Sequence, residues 1–552
     1  MLDLSNSGLY VMDVDDGNLD QGFLHSWQKG EIPPFIFTLP ALCYLDLSNN
    51  QLSGHVQDFD TTTSRLKSLF LSNNALSGFI PKAFFELTSL GALDVSSNNF
   101  TGSLDLSHFW RLHELTMLDL SNNWLHVMDA DDDNLVDISY LSELQDIRLA
   151  SCNVIRFPRF LRQVKSISYL DLSRNKIDGN VPNWLWDKLW SFAPYLNLSH
   201  NMFTGMQLIN SYILPFSTSM EVLDLSFNRF SGRVPMPSSS GEVLEYSNNM
   251  FSSLVPNWTL YLRDTIYFSI SKNNINDQLP PSICDAILDV LDLSNNNFYG
   301  PIPSCIIENM THTILNLRGN NFNGTLPTDI MTTCDLQVLD LHGNKIEGRL
   351  PRGLSKCFHL EILDISSNRI ADTFPSWLRR LCNLSILLLR SNQFYGTIGD
   401  GDTKSASEFF PSLQIIDLSS NNLSGVLRAQ WLMQLNSMMA EYNSSGETID
   451  FDSNNYPYES FYRYSIEFTY KGYFMTFERM LTTVTLIDFS NNRLEGTIPE
   501  ALGSLLSLRI LNLSHNNFIG NIPAQLGSLT DLAGVTRPLL QPTLRRDSSR
   551  AD

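Results

Sequence analysis

A pair of leucine-type residues separated by one position returns along almost the whole chain at a nearly constant interval, and that interval decides what the chain can fold into. The clearest copy is Leu42-x-x-Leu45-Asp46-Leu47-Ser48-Asn49-Asn50-Gln51-Leu52. It comes back as Leu66, Leu69, Leu71, Asn74, Leu76 and as Leu336, Leu339, Leu341, Asn344, Ile346. Taking the second residue of each pair, 19 copies run from position 4 to position 513, and between positions 293 and 389 every step is 24 residues. A fixed period overrides the three or four domains that the length would otherwise suggest. In Leu45-Asp46-Leu47 apolar and polar residues alternate, the pattern of a short strand with one buried and one wet face. Each period is then one coil carrying one strand, and stacked coils align their strands into a parallel sheet about 4.8 Å apart.

A second regularity follows each strand. The residue at Asn50 recurs as Asn74, Asn98, Asn123, Asn175, Asn228, Asn296, Asn320, Asn344, Asn368 and Asn392. An amide that both donates and accepts suits a place where the chain turns inward and buries backbone polar groups. Cys152 takes this slot in one coil. Many coils then close with Gly-x-Ile/Val/Leu-Pro: Gly78 to Pro81, Gly179 to Pro182, Gly300 to Pro303, Gly324 to Pro327, Gly348 to Pro351, Gly496 to Pro499 and Gly520 to Pro523. Glycine permits the tight bend, and proline sits where no ladder donor is needed.

Composition narrows the function. With 37 basic and 58 acidic side chains the net charge is −21, which argues against a nucleic-acid partner needing a basic footprint. The sequence contains no Gly-x-Ser-x-Gly elbow, His-Glu-x-x-His, Walker loop or kinase signature. A solenoid brings together only neighbouring coils and offers few closed pockets, so neither an enzyme nor a cofactor is expected. No run of about 18 apolar residues marks a membrane span. The acidic stretches Val11 to Leu19 and Val127 to Leu135 lack the glutamate of a calcium-binding loop and read as solvated, so no metal is expected.

The leucine spacing and the Gly-x-Ile-Pro closings resemble the plant-specific class of extracellular leucine-rich repeat, from Met1 to about Leu532. The resemblance implies an α/β solenoid: a leucine-rich-repeat superhelix of about 19 coils with a parallel concave β-sheet and a second short strand in each coil. The period breaks once, where the step from 418 to 489 is 71 residues. The extra segment is crowded with Tyr442, Tyr456, Tyr458, Tyr462, Tyr464, Tyr470 and Tyr473. Its stretch Ser465 to Gly472 resembles the island of plant receptor-like proteins. The expected organisation is a first repeat block at 1–427, an island at 428–483, a second block at 484–532 and a non-repeat tail at 533–552. The run from Pro281-Ser282-Ile283-Cys284 to Lys356-Cys357 resembles disease-resistance receptor-like proteins, nearest the Verticillium wilt resistance type. Cys284 with Cys305, and Cys334 with Cys357, are each about one repeat apart, so stacking can bring each pair within bridging reach, the alternative being four buried thiols. Cys43, Cys152 and Cys382 stay free on this reading.

Binding is expected on the wet columns of the sheet, where most coils carry Asp-x-Ser. Arg318, His342 and Arg390 replace the serine, and Tyr44, Tyr169, Tyr195 and Tyr267 precede the aspartate position; both types are favoured anchors of interfaces. Arg318 paired with Asp340 is the equally weighted alternative. Tyr470, Lys471 and Gly472 of the island join the candidate ligand or co-receptor contacts. Asn-x-Ser/Thr sequons stand at Asn99, Asn197, Asn257, Asn309, Asn323, Asn383, Asn422, Asn443 and Asn512, the glycosylation candidates. The resemblance implies an extracellular recognition receptor of plant immunity without a kinase domain. Such a receptor perceives a microbial or peptide ligand at the plasma membrane and signals through receptor-kinase co-receptors. The alternative is a secreted inhibitor of microbial cell-wall hydrolases. The family's Cys-bearing cap, acidic spacer, membrane anchor and basic tail are absent from this chain, which reads as a fragment; taken as complete, it would be secreted.

Overall fold

The computed structural model describes residues 2–3, 10–11, 29–128, 143–189, 194–207, 212–215, 220–309, 312–327, 334–399, 410–439, 466–470, 473–477 and 484–529. Tertiary contacts divide the chain into two units, Met1–Thr265 and Ile266–Asp552. In both, the periodic leucines form the expected parallel ladder.

In the first unit Tyr44–Asp46 pairs with Ser68–Phe70, and the ladder runs on through Ala92–Asp94, Met117–Asp119, Asp146–Arg148, Tyr169–Asp171, Tyr195–Asn197 and Met220–Asp224 to Gly241–Glu245. In the second it runs from Tyr267–Ser269 through Val290–Asp292, Ile314–Asn316, Val338–Asp340, Ile362–Asp364, Ile386–Leu388, Ile415–Asp417 and Leu486–Asp488 to Ile510–Asn512. The register aligns equivalent places of the repeat, leucine-type residues on one another and, in coils that keep it, aspartate on aspartate, as Asp340 on Asp364. The inward leucines Leu45, Leu69, Leu93, Leu170 and Leu196 are 0 % exposed. Phenylalanines two places beyond the ladder asparagines stack from coil to coil, as Phe203, Phe230 and Phe251 do at 5.9 Å.

The asparagine ladder works as the donor and acceptor inventory of the side chain requires. Asn98 Nδ2 donates to Leu71 O of the preceding coil at 2.8 Å and to Val95 O and Ser96 O of its own, while Oδ1 accepts from Leu76 N at 3.0 Å. Cys152 keeps only the donor half: its thiol reaches Leu120 O at 3.2 Å. Its backbone carbonyl accepts from Val127 N of the preceding coil.

Beyond the ladder, the repeat glycines bend at positive φ, +84° at Gly78 and +86° at Gly348. The chain then enters a second, lateral sheet. In the first unit its strands are Lys29–Gly30, Gln51–His55, Ala75–Gly78, Asn99–Asp105 and Trp124–Met128. The outer side is closed by 3₁₀ turns such as Lys82–Glu86, Arg352–Lys356 and Glu500–Ser504, each opened by a proline of the Gly-x-x-Pro closing. A coil of 24 residues leaves about five for this side, too few for an α-helix of ordinary length.

The interruption is looped out between neighbouring coils, since Asp417 before it pairs in register with Asp488 after it. It begins later than the spacing predicts. Residues 429–439 form the short helices Ala429–Leu432 and Asn436–Met439, and Trp431, Leu432, Leu435 and Met438 are buried. Trp431 packs edge-on to Phe374 and tilted to Phe489, so this stretch closes its own coil. Past it, the strands Ile466–Tyr470 and Tyr473–Phe477 pair antiparallel. Lys471, Gly472, the island residues 440–465 and 478–483, both acidic stretches past Val11 and Met128, and the tail lie outside the described residues.

Candidate functional site

The sheet face presents three outward columns, at the positions of Tyr44, Asp46 and Ser48. The Asp-x-Ser pair is first of all a local closure of the strand. Asp46 Oδ1 accepts from Ser48 N at 2.9 Å, Asp94 from Ser96 N, and Asp119 from Ser121 N at the same distance. Asn197 makes the same bond to Ser199 N at 3.0 Å. The acidic column is therefore a structural consensus, and function rests on the residues that depart from it.

In the second unit the tyrosine and aspartate columns are shut off from water from Tyr267 to Asp488, while the serine column stays partly exposed. Val290, Val338, Ile362, Ile386 and Ile415 occupy the tyrosine column at 0–1 % exposure, and Asp340, Asp364 and Asp417 stand at 1–3 %. Arg318, 8 % exposed, lies between Asp292 and Asp340 and favours the charged form of both. The pairing of Arg318 with acids of adjacent coils thus fits better than an anchor held out to a ligand. His342 donates its N–H to Asp340 Oδ1 at 2.9 Å and holds its ring Nδ1 3.9 Å from Asp364 Oδ1. Arg390 is half-buried and favours the charge on Asp417. Burial, and Asp364 beside it in register, push the Asp340 carboxyl well above its ordinary range, and its Oδ2 has no hydrogen-bond partner among the described residues. Tyr267, at 1 % exposure, is core.

The first unit keeps its columns half-open. Tyr169 and Tyr195 stack face to face at 4.0 Å and 3° between planes, and the Arg148 guanidinium lies 4.1 Å over the Tyr169 ring. Arg148 is fixed by a two-pronged bond to Asp146, with Nε to Oδ1 and Nη2 to Oδ2 both at 2.8 Å, while its side chain stays 34 % exposed. Burial pushes the Tyr169 phenol up, so the ring presents an uncharged hydroxyl at neutral pH. Tyr44 lies beside Phe70 at 5.5 Å. An arginine held by a carboxylate and an aromatic ring is a pre-oriented cation with little conformational entropy left to lose on contact. Arg148 escapes a search for lost serines because it sits in the aspartate column; the signal was an arginine where the repeat places an acid.

Cys284 is joined to Cys305 and Cys334 to Cys357, with Cα separations of 6.0 and 4.7 Å. Cys43, Cys152 and Cys382 are free. Of the sequons, Asn99, Asn257, Asn323, Asn383 and Asn422 are exposed, whereas Asn197 and Asn512 lie half-buried on the sheet face. Asn309 closes the helix Ser304–Asn309, and Asn443 is outside the described residues. No group of three or more metal-ligating side chains occurs among the described residues, and no helix there is long and apolar enough to cross a membrane.

Family models of the leucine-rich repeat match residues 64–125 and, in shorter stretches, 166–187, 288–309, 335–357, 359–381, 412–431, 483–505 and 507–529. The chain is similar to Receptor-like protein 7 of Arabidopsis thaliana, 45 % identical over 414 residues that cover 74 % of this chain and 38 % of that protein. It spans less than half the length of the curated relatives it matches. Among solved structures it resembles the plant peptide hormone receptor RGFR1 in complex with RGF2, with a TM-score of 0.66, 25 % identity and coverage of 92 % of this chain and 76 % of that one. The Arabidopsis receptor kinase HAESA, solved with the peptide hormone IDA and the co-receptor SERK1, shares the fold at a TM-score of 0.59 and 23 % identity, covering 91 % and 83 %.

Proposed function

We propose that this chain, which belongs to the plant leucine-rich-repeat receptor-like proteins, is ligand-recognising ectodomain of a cell-surface receptor that signals through partner receptor kinases. The supporting observation is that a sheet face with a half-exposed Arg148–Tyr169–Tyr195 row stands on a fold also found in receptors solved with peptide hormones. The ligand is a peptide or microbial product, and the output is defence.

In this reading the first unit supplies the ligand surface. The guanidinium of Arg148 meets an acidic or carbonyl-rich segment, and the tyrosine pair gives rigid apolar contact. The island contributes the second contact, through Tyr470, Lys471 and Gly472, to the ligand or to the co-receptor. His342 and Arg390 stand as further candidates; Arg318 serves the acids around it. The exposed sequons are candidate glycan sites.

The test separates the two surfaces. The immobilised chain is challenged with a pool of synthetic plant and microbial peptides, and then with the soluble ectodomain of a co-receptor kinase. Arg148→Ala or Tyr195→Ala should weaken capture of a bound peptide at least tenfold, by contact loss at an interface anchor. Replacing residues 440–483 by a short glycine-serine linker, which spares the coil-closing 429–439, should abolish co-receptor recruitment. Capture and recruitment unaffected by either change refute the reading.

A further inference from the structure

The lateral sheet of the first unit carries a feature for which the sheet-face site has no use. Strand Asn99–Asp105 alternates, with Asn99 and Thr101 exposed and Phe100 between them at 0 %. The asparagine and the threonine of this sequon therefore share the outer face, held in place by a buried phenylalanine. Each flanking strand adds a large aromatic residue beside them. Phe79 follows Ala75–Gly78, is 74 % exposed and lies over Gly102, where an added Cβ would meet its ring at 2.5 Å. Trp124, 76 % exposed, stands directly opposite Thr101 in the register. Asn99 lies two residues before Thr101 on the same face, so Trp124 is its diagonal neighbour across the parallel pair. Phe79 lies farther along that strand, over Gly102, and both rings are largely exposed.

We propose that Asn99 carries an N-linked glycan whose first N-acetylglucosamine lays its C–H face on the Trp124 ring, with Phe79 beside it. Attachment is a group transfer: Asn99 Nδ2 bonds to C1 of the sugar as the C1–O bond to a lipid-linked pyrophosphate breaks. The amide proton is released and the pyrophosphate leaves with its electron pair. The sugar then removes apolar ring surface from water without a protein partner. In the second unit an exposed aromatic ring also neighbours a sequon, in a different register: Asn422 opens strand Asn422–Val426 directly opposite Tyr395 of the preceding coil, which is 44 % exposed, while Arg493 stands opposite Ser424. Asn197 contrasts with both. It lies half-buried on the sheet face with Oδ1 accepting from Ser199 N and Oγ, at 3.0 and 2.7 Å, and stays unmodified.

The inference rests on the extracellular reading, because only the secretory route supplies the lipid-linked donor. The chain is secreted from plant cells behind an added leader, each sequon is examined by glycopeptide mass spectrometry, and Tm is measured. Asn99 and Asn422 should be occupied and Asn197 bare. Asn99→Gln should lower Tm by a few degrees, and that loss should fall by at least half in a Trp124→Ala background. Trp124 is so exposed that its removal leaves the fold intact. Trimming the glycan to its first sugar should leave Tm unchanged. Asn99 bare while Asn323 and Asn383 are occupied overturns the proposal and spares the extracellular reading. An equal Tm loss with and without Trp124 overturns the sugar–ring contact. Every sequon bare in the secreted protein overturns both.

Discussion

The asparagine ladder shows how one side chain governs a coil. Asn98 satisfies a carbonyl of the coil before it, two of its own and the amide of Leu76, all in a buried place. Truncation leaves those groups without partners, and an orphaned buried polar group costs about 1–3 kcal/mol. Asn98→Ala should therefore destabilise its unit by that amount in chemical denaturation. Cys152 supplies the internal comparison, because its side chain offers a thiol donor to Leu120 O and no amide acceptor. A thiol is a weak donor, so Cys152→Ala should cost clearly less than Asn98→Ala. Equal costs would mean that side-chain volume, not hydrogen bonding, sets the value of the position.

At the scale of the coil, nearly every backbone decision is local, which is why the coil was legible in sequence. The L-x-L pair fixes the strand, the asparagine the inward turn, the glycine a bend at φ near +80°, and the proline the outer turn. What sequence could not rank was exposure of the outward columns. Whether Arg318 meets water or two carboxylates depends on side chains one coil away on either side, and on burial that the alternating pattern does not report. The same holds for Trp431, which reads as insertion by spacing and packs as core through contacts with Phe374 and Phe489. The bridges belong to this scale as well, since Cys284–Cys305 and Cys334–Cys357 tie adjacent coils across separations of 21 and 23 residues. Closing loops of that size stabilises by about 3 kcal/mol in the chain-entropy account. A solenoid transmits stability mainly between neighbours. The double variant Cys284→Ser, Cys305→Ser should thus speed amide hydrogen exchange around residues 267–325 while leaving 68–197 as protected as before. Uniform deprotection of both units would count against neighbour-limited coupling.

For the molecule as a whole the decisive quantity is its carboxylate load. The net charge of −21 repels itself, and part of it is held on buried aspartates. Burial, joined by a neighbouring aspartate at Asp119, Asp224, Asp340 and Asp417, raises Asp119, Asp224 and Asp292 to about 6 and Asp417 to about 7, and raises Asp171 and Asp340 as well. A carboxylate whose folded pKa exceeds its unfolded one binds more protons when folded, so its contribution is present at acid pH and is lost as pH rises from about 4 to about 7. Burial lowers His200 and His312, which work the other way: the fold disfavours their charged form, and stability recovers as pH rises toward 6.5. Six raised carboxylates outweigh two lowered imidazoles, and protonation also relieves the overall repulsion. Tm should therefore be higher at pH 5 than at pH 8 by several degrees, a stability ordering suited to an acidic surrounding. Asp417→Asn isolates the cause, because an amide oxygen can keep the bonds that Asp417 Oδ1 accepts from Ser419 N and Oγ at 2.9 and 2.6 Å while removing the charge facing Asp488. That variant should melt higher than the parent at pH 8 and by a clearly smaller margin at pH 5, since the difference closes only toward pH 4; a parent that is more stable at pH 8 would mean that the buried aspartates stay ionised and are held by cations such as Arg318 and Arg390.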